Sequence, residues 1–240
     1  MLAGRHSIGA GGAGGGVLEF VGSRTYAAGG SGNDMTVPLT TLTGGIASAP
    51  RAGDLVVVFV GASKRTTNQT TTPTGFTSIN EISAFKSFTF GPGRASNLRA
   101  SLKVMGSTPD TDFVIPGGTG STSNALAVSI YVFAKASSAT PASANSSAID
   151  SHPQPPSITP TFNGSIILCA GHTHDFSVAV FTSSDFDDFI TVISEDSNDG
   201  VIGSGRFEWT SGAFAPAKFG SASGESNAAS TSISLVIIPA

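Results

Sequence analysis

Cysteine is almost missing from this 240-residue chain. Cys169 stands alone, so no intrachain disulfide can form and a small secreted scaffold stapled by disulfides is excluded. Its setting, Ile166-Ile167-Leu168-Cys169-Ala170, reads as a buried strand in which the thiol serves as a small hydrophobe. Charge is scarce too: charged residues make up 12% and the net charge is −4, against about 25% charged residues in an ordinary domain. Gripping phosphates over a broad face needs clustered Lys and Arg, and the few here are scattered, so nucleic acid is not an expected partner. No run approaches the ~18 uninterrupted apolar residues of a membrane span. After Arg5 and His6 the chain turns to glycine, not to an apolar stretch, so no secretory signal is read and a soluble, cytoplasmically made protein is expected. Helical periodicity is absent as well.

What is present is strand after strand. Gly53-Asp54 leads into Leu55-Val56-Val57-Val58-Phe59-Val60, Pro73-Thr74-Gly75-Phe76 reads as a turn, and Leu98-Arg99-Ala100-Ser101-Leu102-Lys103-Val104 alternates apolar and polar residues. Strands are predicted over Val17 to Val21, Thr36 to Leu42, Leu55 to Gly61, Phe76 to Ile82, Phe85 to Phe90, Leu98 to Met105 and Ala125 to Ala134. They continue over Ser165 to Gly171, Ser177 to Thr182, Phe189 to Ser194, Gly205 to Thr210 and Ser230 to Ile238. Turn-formers separate them: Gly29 to Asp34, Gly91-Pro92-Gly93, Pro116-Gly117-Gly118 and Asn198-Asp199-Gly200.

The expected fold is an all-β, antiparallel, jelly-roll-like sandwich formed by residues 17–240, preceded by a flexible Gly-rich arm over residues 1–16. Ser137 to Pro160, rich in Ala, Ser and Pro, is read as a long surface connection within that one domain. The arm is expected to tether the domain in an assembly. Ser and Thr make up roughly a quarter of the chain, so hydroxyls must cover much of the surface. Such a surface repels neighbours weakly and suits a protein whose faces are partly covered by other subunits.

Candidate sites are few. Gly9-Ala10-Gly11-Gly12-Ala13-Gly14 matches the dinucleotide fingerprint, with Asp34 about 20 residues on. That motif needs a strand before it and a helix after it, and neither is present. In His172-Thr173-His174-Asp175, alternate histidines on a strand project to one face and can share a metal with a carboxylate. No further ligand is placed by spacing, and His6 and His152 fall in flexible-looking segments. The quartet is therefore read as a polar turn closing an apolar strand, with metal binding left open. Asp185-Phe186-Asp187-Asp188 and Glu195 to Gly200 offer oxygen ligands suited to calcium but lack the calcium-loop register, and read as solvated acidic turns. Gly220-Ser221-Ala222-Ser223-Gly224 has Ala222 where a nucleophile elbow needs serine. Phe207 and Trp209, on one face of a short strand, read as core aromatics, with a sugar-stacking platform as the alternative. No catalytic, cofactor or metal residue is assigned, and no enzymatic activity is expected.

The order Gly53-Asp54-Leu55-Val56-Val57, Pro73-Thr74-Gly75-Phe76, Ser101-Leu102-Lys103-Val104-Met105 with Pro109, Ala127 to Phe133, and Ser232-Ile233-Ser234-Leu235-Val236-Ile237-Ile238-Pro239 resembles a β-sandwich family common among tailed-bacteriophage virion proteins and prophage-encoded tail or fibre modules. The resemblance implies a structural component of a virion, in the head, tail or fibre, that binds other virion proteins, while the charge-poor surface and the edge strands of a sandwich lead to the expectation of a homo-oligomer. It brings no catalytic residues. A carbohydrate-binding module that recognises a host-surface glycan is the alternative reading.

Overall fold

The runs Leu55–Lys64 and Ala125–Ala134 are apolar at successive positions because both of their faces are covered, and this double burial organises the molecule. The computed structural model describes residues 17–28, 34–64, 71–87, 93–117, 125–174, 180–194, 200–221 and 228–240. Among them every regular element is a strand: β1 Glu19–Ala28, β2 Met35–Pro38, β3 Leu55–Lys64, β4 Thr77–Lys86, β5 Arg94–Val104, β6 Asp112–Ile115, β7 Ala125–Ala134, β8 Ala142–Ala148, β9 Ile166–His174, β10 Phe181–Thr182, β11 Asp188–Ile193, β12 Gly200–Glu208, β13 Gly220–Ser221 and β14 Ser230–Ile237. The Gly-rich arm lies outside the described residues.

Two five-stranded sheets, ordered β1-β7-β3-β5-β4 and β11-β12-β9-β14-β8, stack as an antiparallel sandwich, and two small ribbons, β2-β6 and β10-β13, complete the set. The expected sandwich is what the chain forms. Its winding is simple: the first sheet is filled by residues 19–134 and the second by residues 142–237, whereas a jelly-roll winding alternates between sheets. Strand faces strand in order, so that β1 lies over β11, β3 over β9, β5 over β14 and β4 over β8.

The inter-sheet core takes alternate residues from both sheets: Leu55, Val57 and Phe59 from β3, Tyr131 and Phe133 from β7, Ile166, Leu168 and Ala170 from β9, and Ile233, Leu235 and Ile237 from β14. The other face of the first sheet, with Val56, Val58 and Val60 of β3 beside Val128, Ile130 and Val132 of β7, packs under the β2-β6 ribbon and Leu39, Leu42 and Phe76. This second layer is why the β3 and β7 sequences run continuously apolar instead of alternating. Burying each such Val or Ile stabilises the fold by about 1.5–3 kcal/mol before entropy is counted.

Two turns follow from glycine. Gly53 (φ 82°) and Gly75 (φ 80°) each occupy the third position of a turn closed by Asp54 N–H to Arg51 C=O (3.1 Å) and Phe76 N–H to Pro73 C=O (3.0 Å), the left-handed position that a type II turn requires. On the outer face of the second sheet, the Phe181, Phe186, Phe189 and Phe219 rings lie against bare backbone. A Cβ on Gly203 would stand 2.9 Å from atoms of Phe181 and Phe189, and one on Gly205 would stand 2.4 Å from Phe186.

The connection from Ser137 to Pro160 corrects the sequence reading, because it contains β8, the edge strand paired with β14. The segments expected as Phe76 to Ile82 and Phe85 to Phe90 merge, over their described residues, into the single strand β4, with a bulge between Ser78 and Asn80. The short strands β6 and β13 were not anticipated either.

Candidate functional site

The histidine pair is not a solvent-exposed turn. His172 and His174 lie within β9, whose every residue is buried, and β9 sits between β12 and β14 in the second sheet. Alternation along the strand puts them on the same face as Ile166, Leu168 and Ala170, aimed at the first sheet. Asp175 lies outside the described residues.

His172 is held by hydroxyls from two other strands, one of which is backed by a hydroxyl from a third. Its Nδ1 is 2.8 Å from Ser96 Oγ of β5, its Nε2 is 3.3 Å from Ser63 Oγ of β3, and Ser96 Oγ is also 2.9 Å from the His172 carbonyl oxygen and 2.8 Å from Thr231 Oγ1 of β14. One assignment satisfies all of these groups. The Ser96 hydroxyl has one proton, which goes to the carbonyl, so its lone pairs accept from Nδ1–H and from Thr231. Nε2 is then the ring's acceptor and takes the Ser63 hydroxyl proton. Room for the ring comes from two glycines: a Cβ on Gly61 would stand 2.4 Å from His172 Cδ2, and one on Gly200 would stand 2.6 Å from Nε2 and 1.9 Å from Ser63 Oγ.

The electrostatics follow from this burial. Loss of solvation, with a smaller contribution from neighbouring His174, lowers the His172 pKa to about 3. A serine within hydrogen-bond distance of an imidazole is the outline of a nucleophile and its base. Here Ser63, which donates to Nε2, is fully buried between the sheets together with Ser96 and the ring, and a base with a pKa about 3 barely takes a proton at neutral pH. The arrangement is a polar plug that ties four strands together across the sandwich. Among the described residues no group of three or more His, Cys, Asp or Glu is placed to hold a metal ion.

The other candidates are distributed through the fold. Cys169, on the outer face of β9, is buried with Sγ 3.3 Å from Ser234 Oγ, and burial pushes its thiol up to about 12, which suppresses the reactive thiolate. Asp185, Asp187 and Asp188 fasten loops: Asp185 Oδ2 accepts from Ala217 N–H (2.7 Å), Asp187 Oδ2 from Glu208 N–H (2.8 Å) and Asp188 Oδ2 from the Ser23 hydroxyl (3.3 Å). Asp34 likewise accepts from Gly117 N–H at 2.9 Å. Phe207 stacks on Phe214 with centroids 4.3 Å apart and planes 16° from parallel, while Trp209 Nε1–H donates to Gly212 C=O at 2.7 Å. All three rings are half-buried. Gly9 to Gly14, Glu195 to Asp199 and residues 222–227 lie outside the described residues.

A surface feature that no sequence motif marks lies on the outer face of β8 and β14. There a cleft of about 430 Å³ opens between the strands and the segments 152–157 and 215–218, lined by Ala148, Pro155, Pro156, Ala215 and Pro216 with the polar Ser146, His152, Gln154 and Lys218 among them. Asp150 borders it, paired with Lys218 and accepting from His152 N–H at 2.9 Å. Partial burial pushes the Asp150 carboxyl up, but the Lys218 and His152 hydrogen bonds outweigh it and hold the carboxyl below its ordinary value. Nothing local in the sequence joins residues so far apart.

Comparison with protein-family models, with curated proteins and with solved structures gives no match to this chain.

Proposed function

We propose that the chain is a structural subunit of a tailed-bacteriophage virion, a head-decoration, tail or fibre component that acts through contacts with other virion proteins and performs no chemistry of its own. The observation that carries this reading is the edge strand β8. Its sequence Ala142-Ser143-Ala144-Asn145-Ser146-Ser147-Ala148 holds no charge and no proline, and most of it is exposed. An edge strand presents a row of unpaired backbone donors and acceptors, and monomeric proteins usually blunt it with lysine, proline or a bulge. An edge left open in a chain with only 12% charged residues suits a subunit whose neighbours cover it. The resemblance of the strand series to virion sandwich proteins points the same way. The protein would then be made in the host cytoplasm and reside in the particle.

The cleft beside β8 favours one second reading, recognition of a bacterial surface glycan, because Gln154, His152 and Lys218 stand beside the apolar surface of Pro155, Pro156 and Pro216 around a 430 Å³ recess, a mix that can hold a sugar ring and hydrogen-bond its hydroxyls. The two readings separate in one experiment. Particles purified through a density gradient from cells carrying an epitope-tagged copy should contain the chain in many copies per particle, retained through a high-salt wash. Absence from washed particles, together with glycan-array binding by the purified protein, would replace the structural reading with the second.

A further inference from the structure

The four edges of the two large sheets are not equally open. β1 has a bulge between Phe20 and Gly22 and is covered by residues 43–47, whose backbone bonds include Ser23 N–H to Thr43 C=O (2.9 Å) and Ala47 N–H to Val21 C=O (3.0 Å). β4 has its own bulge and carries Glu81, ion-paired with Arg99, and Lys86. β11 carries Asp188, and the hydroxyl of its Thr191 accepts from Phe181 N–H of β10 at 3.4 Å. These are the usual devices against edge pairing. β8 has none of them: it pairs with β14 in unbroken register along one side.

The β8 sequence also complements itself. With a two-fold axis through Asn145, antiparallel pairing sets Ala142 opposite Ala148, Ser143 opposite Ser147 and Ala144 opposite Ser146. Every pair is small and uncharged, so nothing clashes and no like charges meet. The same register sets Ile149, just beyond β8, opposite Pro141, just before it. Pro141 has no N–H, so backbone pairing would stop at that residue on both sides.

We propose that β8 pairs with β8 of a second copy of this chain across a two-fold axis at Asn145, joining the two second sheets into one ten-stranded sheet. The inference rests on the proposed virion role and names the partner of that open edge. It requires an isologous contact, in which each residue meets its counterpart with the roles exchanged.

The test uses the full chain. Sedimentation velocity over a wide concentration range should show a monomer–dimer equilibrium. Asn145→Lys, which sets two ammonium groups against each other on the axis, should weaken dimerisation at least tenfold while the circular dichroism spectrum and urea midpoint show an intact fold. Register is tested by cross-linking. Asn145→Cys faces itself and should form a disulfide-linked dimer under mild oxidation, whereas Ser147→Cys faces Ser143 and should do so far more slowly, with buried Cys169 silent in both. Dimers that survive Asn145→Lys, or equal cross-linking at 145 and 147, would overturn the inference yet leave a subunit that assembles through another face. A chain monomeric at every concentration would also overturn it. If that monomer still enters particles, the partner strand belongs to another protein and the virion role stands.

Discussion

Replacing Gly61 by alanine will cost about 3 kcal/mol of stability, the upper part of the usual range for overpacking a rigid core, and replacing His172 by alanine in the same chain will return some of that loss. The alanine methyl would stand 2.4 Å from His172 Cδ2 and 2.9 Å from Cγ, closer than carbon atoms approach without displacement. The ring has nowhere to go: its two nitrogens are tied to Ser96 and Ser63, and Gly200 closes the other side. His172→Ala alone will also destabilise, because it leaves a cavity and deprives the Ser63 and Ser96 hydroxyls of a partner. In the double variant the new methyl occupies space that the ring vacated, so the two losses together will come to less than their sum. Urea denaturation of the four proteins at neutral pH measures this directly. Strict additivity, or a Gly61→Ala protein as stable as the parent, would mean that the ring is not wedged against β3.

Acid will destabilise the protein through the same residue. The His172 pKa is about 3 in the folded chain and about 6.5 in an unfolded one. Below pH 6.5 the unfolded state therefore takes up a proton that the folded state refuses, and linkage makes stability fall as pH falls. The contribution is fully present above pH 6.5, shrinks by about 1.4 kcal/mol for each pH unit below it, and is exhausted near pH 3. Between pH 7.5 and pH 4.5 the loss amounts to about 2–3 kcal/mol. Asp150, whose carboxyl is held below its ordinary value, adds a loss of the same sign only at still lower pH. A His172→Gln protein, less stable at pH 7.5, should lose much less than the parent over this interval. Equal pH dependence in the two proteins would assign acid sensitivity to other groups.

How far the fold could be read from residues depended on burial. β7 was legible over its whole span, Ala125–Ala134, and β3 and β14 nearly so, because residues buried on both faces or in strict alternation leave a pattern that no other structure explains. β8 was not. Ala, Ser and Asn have little intrinsic strand preference, and this segment is extended because β14 offers it a backbone to pair with. The order in which strands sit side by side was equally hidden, since alternation along β5 does not say whether its neighbours are β3 and β4 or strands of the other sheet.

The histidine pair shows the same limit at a candidate site. His172 and His174 continue the alternating face of Ile166, Leu168 and Ala170, a signal of burial present in the sequence but outweighed by the polar character of the side chains. The groups that make this burial tolerable, Ser63, Ser96 and Thr231, are 109, 76 and 59 residues away along the chain. Gly61 and Gly200 record the ring only as missing side chains. A polar cluster assembled from four strands leaves no local motif, and the cleft beside β8, drawn from Ser146, His152, Lys218 and Ser230, is invisible for the same reason.

The most chemically suggestive cluster among the described residues, His172 with Ser63, Ser96 and Thr231, is a structural plug. The most direct test is an NMR titration of the histidine side chains in the folded protein, from pH 8 to pH 4.5 and then with stoichiometric zinc at pH 7.5. The His172 ring signals should keep the pattern of a neutral imidazole protonated at Nδ1 throughout, unmoved by acid or by metal. A His172 that titrates near pH 6.5 while the protein stays folded, or one that shifts with one equivalent of zinc, would contradict it.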